Sequence, residues 1–538
     1  MPQPVAPPRP LSESPVDDAV PRGLAAIPDG KVRTAASDAA VYTVAVYAAQ
    51  VMLFVAGIIQ KALLGPLAAG YWALMQAAWP FFNVASLGAD QGTARQVPLH
   101  RGRGDFAAAG AVAASGNSFS LIAMTVLGAL VAVVALVLGA DWPSEIRYGL
   151  VLLGVIAPLR FLSDSHETLF QATKRFSEVS AGTILKAVIT LTVQTALVYL
   201  FGFYGMLAGV AASALGVLLL WSRMGLTGLR RPAFGWGIDR KRLRELIAFG
   251  FPIMVFGQVW MLFMAIDSLI VGTFIDIRSL GYYALAGSVT QYVLYLPKSI
   301  GAALFPRMSE QFGRTGDIGA LRHFATDTQH LLAHVLVPVF IGGAYFLLPV
   351  LVRHALPEFQ PAIPVIHVMV AASFFISLCN MPIKILITAG HRLTLIILVA
   401  ACLAVNASSV YVAVVVLDRG LGGAALATAF SYLVVFLVTS GYGLHKVLGL
   451  RPTLTHIAEL LVAFAYITAA LWGIEGLFGS GAGPLFGDLI TGLAKFAVLL
   501  VVLTPGIVLV QRRNQAITRM WSLLRSAATK ARRRRAGS

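Results

Sequence analysis

The sequence predicts an all-α polytopic membrane protein with about 14 transmembrane helices. Of its 538 residues, 58% are hydrophobic and only 12% are charged, whereas a soluble domain carries about 25% charged residues. The apolar residues occur in long runs rather than alternating with polar ones. This composition disfavours a soluble enzyme, a DNA-binding protein and a disordered scaffold.

The N-terminal tail, residues 1–38, is predicted to be disordered and cytoplasmic. It contains eight prolines among scattered charges, so it cannot bury a hydrophobic core. It does not begin with basic residues followed by an apolar stretch, which is the pattern of a secretory signal.

Fourteen apolar runs follow this tail. A helix that crosses a bilayer needs about 20 mostly apolar residues. The runs lie at residues 40–63, 68–89, 107–139, 148–170, 179–201, 204–222, 245–273, 279–304, 329–352, 362–388, 393–416, 421–444, 455–474 and 487–510. The connecting segments are short, and none is large enough for a folded soluble domain.

The basic residues predict the orientation of these spans. With the N-terminus inside, the inner loops and the C-terminal tail carry 27 Lys and Arg, and the outer loops carry 4. Basic residues gather on the cytoplasmic side of membrane proteins, so both termini are predicted to be cytoplasmic. Most of the net charge of +17 therefore marks the inner face, and no nucleic-acid partner is predicted. The Arg532–Arg535 run is expected to lie against anionic lipid headgroups.

An internal repeat divides the spans into two units. Gly70-Tyr71-Trp72-Ala73-Leu74 opens the second span, and Gly281-Tyr282-Tyr283-Ala284-Leu285 opens the eighth, at an offset of 211. Each unit holds six spans, so both have the same orientation, which is a transporter architecture with a substrate path between the halves. The predicted regions after the tail are an N-terminal six-helix bundle (39–222), a basic cytoplasmic linker (223–244), a C-terminal six-helix bundle (245–445), helices 13 and 14 (455–510) and a basic cytoplasmic tail (511–538).

Polar side chains follow one face of several spans, which indicates a wet cavity. On the second span they are spaced 3, 4, 3 and 4 residues apart, and on the eighth 3, 4 and 3, so each set lines one helix face. The two sets are Gln76, Trp79, Asn83, Ser86 and Asp90, and Ser288, Gln291, Tyr295 and Lys298. Gln50 on the first span and Asn380 on the tenth belong to similar stripes.

Six basic residues lie inside the predicted spans: Lys61, Arg160, Lys186, Lys298, Lys384 and Lys495. A charge at mid-membrane costs at least about 2.5–3.5 kcal/mol, so such residues usually face water or a partner. Lys61 and Lys495 are near the outer ends of their spans, where the side chain can reach the interface. Arg160 can pair with Asp164 one turn away, whereas Lys186, Lys298 and Lys384 have no acidic neighbour at helical spacing.

These patterns give a candidate site without cofactor or metal. The predicted substrate-binding residues are Arg160, Lys186, Lys298, Lys384, Gln50, Asn83, Gln291, Tyr295 and Asn380. The predicted ion-coupling residues are Asp267 and Asp164; Asp267 could instead be the counter-charge of a lysine on another helix. His330 and His334 are expected to pack at the interface because no third metal ligand is evident, and Cys379 and Cys402 are expected to be small packing residues.

Several short motifs carry a family resemblance. They are Leu63-Leu64-Gly65-Pro66 with Gly70-Tyr71, Leu87-Gly88 followed by the basic loop Arg101–Asp105, and Phe305-Pro306-Arg307. With fourteen spans, the chain resembles the O-antigen/polysaccharide (Wzx-type) flippases of the multidrug/oligosaccharidyl-lipid/polysaccharide (MOP) exporter superfamily over residues 38–510. The proline-rich and arginine-rich tails depart from that family's compact pattern.

The resemblance implies a transporter rather than an enzyme. Such a protein moves undecaprenyl-diphosphate-linked oligosaccharide from the inner to the outer leaflet of the bacterial cytoplasmic membrane by alternating access, and membrane potential or a proton or sodium gradient resets the cycle. A cavity richer in bases than in acids suits the diphosphate. The alternatives are a lipid II flippase, a drug antiporter, which should favour acids in its cavity, a major-facilitator antiporter, and a membrane glycan polymerase or ligase, which needs a sizeable outer loop or catalytic cluster.

Overall fold

The computed structural model describes residues 35–172, 175–223, 237–479 and 483–508, and the regular structure within these ranges is helical. The α-helices, numbered here in chain order, are α1 Ala35–Phe82, α2 Ala89–Gly102, α3 Phe106–Val137, α4 Ser144–Ala172, α5 Phe176–Ile189, α6 Thr195–Arg223, α7 Arg240–Phe274, α8 Ile277–Thr315, α9 Arg322–Leu331, α10 Val337–Ala355, α11 Ile363–Leu378, α12 Asn380–Thr388, α13 Arg392–Tyr411, α14 Gly420–Leu448, α15 Leu450–Phe478 and α16 Leu485–Val502. Short π-helical segments at Thr190–Gln194, Leu332–Leu336 and Val412–Val416 follow α5, α9 and α13.

These helices account for the fourteen predicted spans. Within the described residues, eleven helical stretches are long and apolar enough to cross a membrane. Two of them, Val44–Ser86 and Phe176–Arg223, each supply two predicted spans because a glycine bends the helix. Helix α8 has 39 residues and corresponds to the eighth span, although its polar stripe lowers its hydrophobicity. The prediction of an all-α polytopic membrane protein is confirmed.

The bend in α1 follows directly from its sequence. Gly65 has φ 67° and ψ 174°, a backbone conformation that glycine reaches without the steric penalty of a Cβ. Pro66 comes next, and proline suits the first turn of a helix because its fixed φ is already helical. The Gly-Pro pair therefore ends the first span and begins the second without a loop.

The two halves touch closely at the predicted outer end of the fold. A Cβ on Gly70 would overlap the carbonyl oxygen of Ile277, and a Cβ on Gly281 would overlap that of Pro66. The offset of 211 that relates Gly70 to Gly281 also relates Pro66 to Ile277. The two contacts are therefore equivalent under the internal repeat, and each needs a glycine.

A second close contact joins the halves at the predicted cytoplasmic end. Cβ atoms on Gly88 and Gly250 would each overlap backbone atoms of the other's segment, and a Cβ on Gly92 would overlap the carbonyl oxygen of Leu246. The guanidinium of Arg95 also lies 4.0 Å from the ring centre of Phe249. The halves thus meet at both ends of this interface, with cavities between the two contacts.

The last two spans pack on the C-terminal half. Helix α15 packs against α14, and α16 packs against α10. Apolar residues of both, including Leu460 and Leu499, join the large hydrophobic core of that half. These spans therefore extend the C-terminal bundle.

Candidate functional site

A polar cavity of about 420 Å³ lies between α1, α4, α5, α6 and α8. Four charged side chains line it: Lys61, Arg160, Asp164 and Lys186. Three of these are basic and one is acidic, so the cavity is formally positive. Of the predicted substrate-binding residues, the structure brings Arg160 and Lys186 together here.

Asp164 lies between two cations. Its Oδ1 is 3.3 Å from Lys186 Nζ, and its Oδ2 is 3.5 Å from Arg160 Nε. The side chains of Asp164 and Lys186 are 43% and 40% exposed, so both remain accessible from the cavity. Lys186 lacks an acidic neighbour on its own helix, as expected, but α4 supplies one from 22 residues earlier in the chain.

A second polar cavity of about 680 Å³ shares Arg160 and Asp164 with the first. Trp79 and Asn83, which belong to the polar face predicted for the second span, also line it. The guanidinium of Arg160 lies 4.1 Å from the centre of the Trp79 ring. This cation–π contact holds Arg160 at the boundary between the two polar cavities.

Lys61 belongs to the site, although its position near a span end suggested an interfacial role. Its Nζ donates a hydrogen bond of 3.4 Å to Ser288 Oγ, so it links α1 of the N-terminal half to α8 of the C-terminal half. The signal was present in the sequence, because Lys61 ends the polar stripe of the first span and Ser288 begins that of the eighth.

Gln60 is a cavity residue that sequence reasoning missed. Its Nε2 donates to the carbonyl oxygen of Thr190 at 3.0 Å and to Thr195 Oγ1 at 3.2 Å. Thr190 begins a π-helical segment, and such segments shift the backbone hydrogen-bond pattern and are frequent at functional sites. Neither the π-helical segment nor its partner on α1 follows from apolar periodicity.

An apolar cavity of about 740 Å³ adjoins the first polar cavity, and Tyr292 lines both. The predicted site residues Gln50 and Tyr295 lie here rather than in the polar cavities. The other walls come mostly from apolar residues of α1, α8, α10 and α16, including Phe54, Phe340, Leu347, Leu489 and Phe496. The described residues therefore enclose adjoining polar and apolar compartments.

The predicted residues of the C-terminal half form a separate group. Lys298 Nζ donates to Gln291 Oε1 at 3.0 Å, and Asn380 Nδ2 donates to the carbonyl oxygen of Pro297 at 3.1 Å. Lys384 Nζ lies 5.0 Å from the centre of the Phe305 ring. Neither lysine lines the two polar cavities described above.

Asp267 is buried inside the C-terminal half. Its Oδ2 accepts hydrogen bonds from Tyr283 at 2.8 Å and from Thr428 at 3.2 Å. Its Oδ1 accepts from the backbone amide of Ser268 at 2.8 Å. Within the described ranges no lysine forms an ion pair with it, so the contacts observed are with hydroxyl groups and an amide.

Comparison with known proteins gives one family and one fold. Residues 63–356 match the model of a family described as polysaccharide biosynthesis protein. No curated protein sequence matches the chain.

The inward-facing conformation of a multidrug resistance MATE family transporter of the MOP superfamily aligns with a TM-score of 0.63 and 14% identity, over 75% of this chain and 96% of that one. The lipid II flippase MurJ in an inward closed conformation aligns with a TM-score of 0.63 and 14% identity, over 87% and 99%. An outward-facing MATE transporter aligns with a TM-score of 0.56 and 13% identity, over 78% and 98%. At these identities the similarity shows the fold alone, which this chain shares with the two MATE transporters and the lipid II flippase.

Proposed function

The chain belongs to the polysaccharide biosynthesis protein family, and from this membership we propose that it is a flippase for a lipid-diphosphate-linked oligosaccharide. It moves undecaprenyl-diphosphate-linked saccharide from the inner to the outer leaflet of the bacterial cytoplasmic membrane by alternating access. The parallel repeat of two six-span units that the sequence predicts supports this proposal, because transporters of that architecture have a substrate path between their halves.

The observation that carries the proposal is the pairing of a positive polar cavity with an apolar one at Tyr292. A lipid-linked saccharide has a charged diphosphate, a polar sugar chain and a long apolar tail. The diphosphate and sugar enter the polar compartments, and the start of the lipid tail lies in the apolar compartment. No single polar pocket would suit both ends of such a molecule.

Lys61, Arg160 and Lys186 are the proposed diphosphate ligands. Guanidinium and ammonium groups form strong charge-assisted hydrogen bonds with phosphate oxygens. Asp164 pairs with both Lys186 and Arg160 and holds them in position. A diphosphate carries more negative charge than one carboxylate, so it displaces Asp164 when it binds. Asp164 pairs with Lys186 and Arg160 again when the substrate leaves.

The other predicted residues act at other places or stages. Asn83 lines the second polar cavity and meets the sugar, and Gln50 and Tyr295 lie along the apolar cavity. Lys298, Gln291, Lys384 and Asn380 meet the substrate in a later state, after the two halves have moved against each other.

Asp267 is the proposed coupling residue for a proton or sodium ion. A buried carboxylate surrounded by hydroxyl oxygens can take up either cation without a charged partner. Asp164 is a weaker candidate for this role because two bases already occupy its oxygens. The cycle is therefore proposed to be reset through the C-terminal half, while the N-terminal half holds the diphosphate.

The proposed location is the cytoplasmic membrane with both termini inside and the C-terminal tail on anionic lipid. A lipid II flippase would bind the same diphosphate, and its substrate would differ in the group that the diphosphate carries. A cavity with three bases and one acid opposes a cationic drug. Transport is favoured over glycan polymerisation because the predicted outer loops are short.

Deletion of the gene tests the proposed function. We expect loss of the surface polysaccharide and accumulation of its lipid-linked precursor on the inner leaflet, both reversed by the wild-type gene. The control measures lipid II in the same strain, which should stay unchanged. An unaltered surface polysaccharide would overturn the proposal, and accumulation of lipid II instead would favour the alternative flippase.

A further inference from the structure

Three side chains that can bind a metal meet in the C-terminal half, apart from the cavities described above. They are His330 of α9 and His456 and Glu459 of α15, and their potential ligand atoms all lie within 4.8 Å of one another. His330 Nε2 is 3.6 Å from Glu459 Oε2, and the two imidazole rings are 4.7 Å apart between centres. Both histidines are buried.

Helices α9 and α15 bring these three side chains together. His456 and Glu459 are three residues apart on a helix, so they lie on the same face. His330 is near the end of α9, directly before the π-helical segment Leu332–Leu336. Both α9 and α15 begin at the end of the fold that the sequence predicts to be cytoplasmic, so the cluster lies near the inner surface.

Gln329 contacts His456 beside this cluster and fixes which ring nitrogen carries the hydrogen. Its Nε2 donates to the carbonyl oxygen of Leu378 at 2.9 Å, and its Oε1 is 2.9 Å from His456 Nε2. A backbone carbonyl only accepts, which fixes the orientation of the amide. His456 Nε2 must then carry the hydrogen, and Nδ1 carries the lone pair that a metal needs. Outer partners of this kind commonly fix the tautomer of ligating histidines.

We propose that His330, His456 and Glu459 form a binding site for a first-row divalent metal ion such as Zn²⁺. Two imidazoles and one carboxylate are a ligand set that Zn²⁺ uses, with a water molecule in the fourth position. Tetrahedral ligands of Zn²⁺ are about 3.4 Å apart, from bond lengths of about 2.0–2.1 Å. Binding therefore draws the three side chains slightly closer than they are here.

The site would join the thirteenth span to the ninth. Helix α10, which continues α9 through the π-helical segment, and α16, which follows α15, both form walls of the apolar cavity. A bound ion would therefore link two helices that lead into these walls. Any effect of this link on a lipid tail in the apolar cavity rests on the proposed function, whereas metal binding itself does not.

From the sequence, His330 and His334 are predicted to pack at the interface rather than bind a metal, because no third ligand is evident near them. The reason does not hold, since the additional ligands come from a span more than 120 residues later in the chain. His334 is also close to the cluster, with its ring centre 5.6 Å from that of His330.

Zn²⁺ binding to the purified full chain tests the proposal. After chelator treatment, titration calorimetry should show about one Zn²⁺ per chain, and Co²⁺ should give a visible absorption spectrum at the same stoichiometry. Glu459→Gln should weaken binding by about ten-fold or more, and His456→Gln should reduce it to background. His323→Gln is the matched control, because His323 is an exposed histidine at the start of α9 and should bind as the wild type does.

Two results would overturn the inference: no Zn²⁺ bound by the wild type, or equal affinity in the wild type, Glu459→Gln and His456→Gln. Gel filtration and circular dichroism of each variant confirm that it is folded. Because the readout is metal binding and not transport, failure here leaves the proposed flippase function in place, and failure of the gene-deletion test leaves this site in place.

Discussion

At the scale of single residues, the important arrangement is one carboxylate between two bases. Asp164 is 3.3 Å from Lys186 and 3.5 Å from Arg160. The side chains of all three residues are more than a third exposed. Ion pairs as exposed as these two contribute little to the stability of the fold, because solvent screens the charges. The proposed role of Asp164 is chemical, since it holds Lys186 and Arg160, the proposed diphosphate ligands, in place.

Substitutions at Lys186 and Asp164 should therefore have opposite effects on binding. Lys186→Ala should weaken binding of undecaprenyl diphosphate by about ten-fold to hundred-fold, because a hydrogen bond to a charged group contributes about 1.5–3 kcal/mol. Asp164→Asn should strengthen binding and slow transport, because the competing carboxylate is gone. Thermal stabilisation of the purified protein by undecaprenyl diphosphate measures both changes in binding.

Lys241→Ala is the control for this comparison, since Lys241 is exposed at the start of α7 and lies outside both polar cavities. Equal weakening by Lys186→Ala and Asp164→Asn would mean that the three residues act as a structural unit, and would contradict displacement of the carboxylate.

Asp267 is the second residue whose role can be tested directly. Asp267→Asn keeps the size of the side chain and much of its hydrogen bonding to Tyr283 and Thr428, but it cannot be protonated or carry a charge. We expect the variant to bind undecaprenyl diphosphate normally and to lose the dependence of transport on a proton or sodium gradient. Transport into proteoliposomes at several imposed gradients measures this, and an unchanged gradient dependence would rule Asp267 out.

At the scale of elements, the glycines at the predicted outer end control how closely the halves approach. Each of the two contacts, Gly70 with Ile277 and Gly281 with Pro66, has no room for a Cβ. Backbone atoms cannot give way as a flexible side chain can, so an added methyl group must separate the helices. Close packing of this kind transmits small changes because packed interfaces are poorly compressible.

Gly281→Ala should therefore open the predicted outer end. A cysteine at position 288 (Ser288→Cys), beside the polar cavity, should react faster with an impermeant maleimide added outside when Gly281→Ala is also present. Gly287→Ala is the matched control on the same helix, because a Cβ there meets nothing within 4 Å. Equal labelling rates for the two alanine variants would show that this contact does not close the outer end.

At the scale of the whole molecule, the orientation in the membrane is the main prediction from charge. Arg103→Cys should be labelled only after the cells are permeabilised, and Asp141→Cys should be labelled from outside. Both positions are exposed. The wild-type protein is the control, since Cys379 and Cys402 are buried and should not react. The reverse pattern would invert the assignment of the inner and outer faces and place both termini outside.

The sequence by itself determined the class of protein and predicted its fourteen spans. These are local properties, because each span must be apolar and must satisfy its own backbone hydrogen bonds in lipid. The family resemblance also followed from short motifs, and the family match over residues 63–356 confirms it.

Only the tertiary structure decided which polar groups meet. Lys186 pairs with Asp164 of α4, and Lys61 contacts Ser288 of the other half. His330 lies beside His456 and Glu459 of α15. Helical periodicity gives the face on which a side chain lies, but not the helix that this face contacts. Those pairings depend on how helices distant in sequence pack and rotate against one another, and this is settled by shape at places such as Gly70 and Gly281 rather than by the pattern along one span.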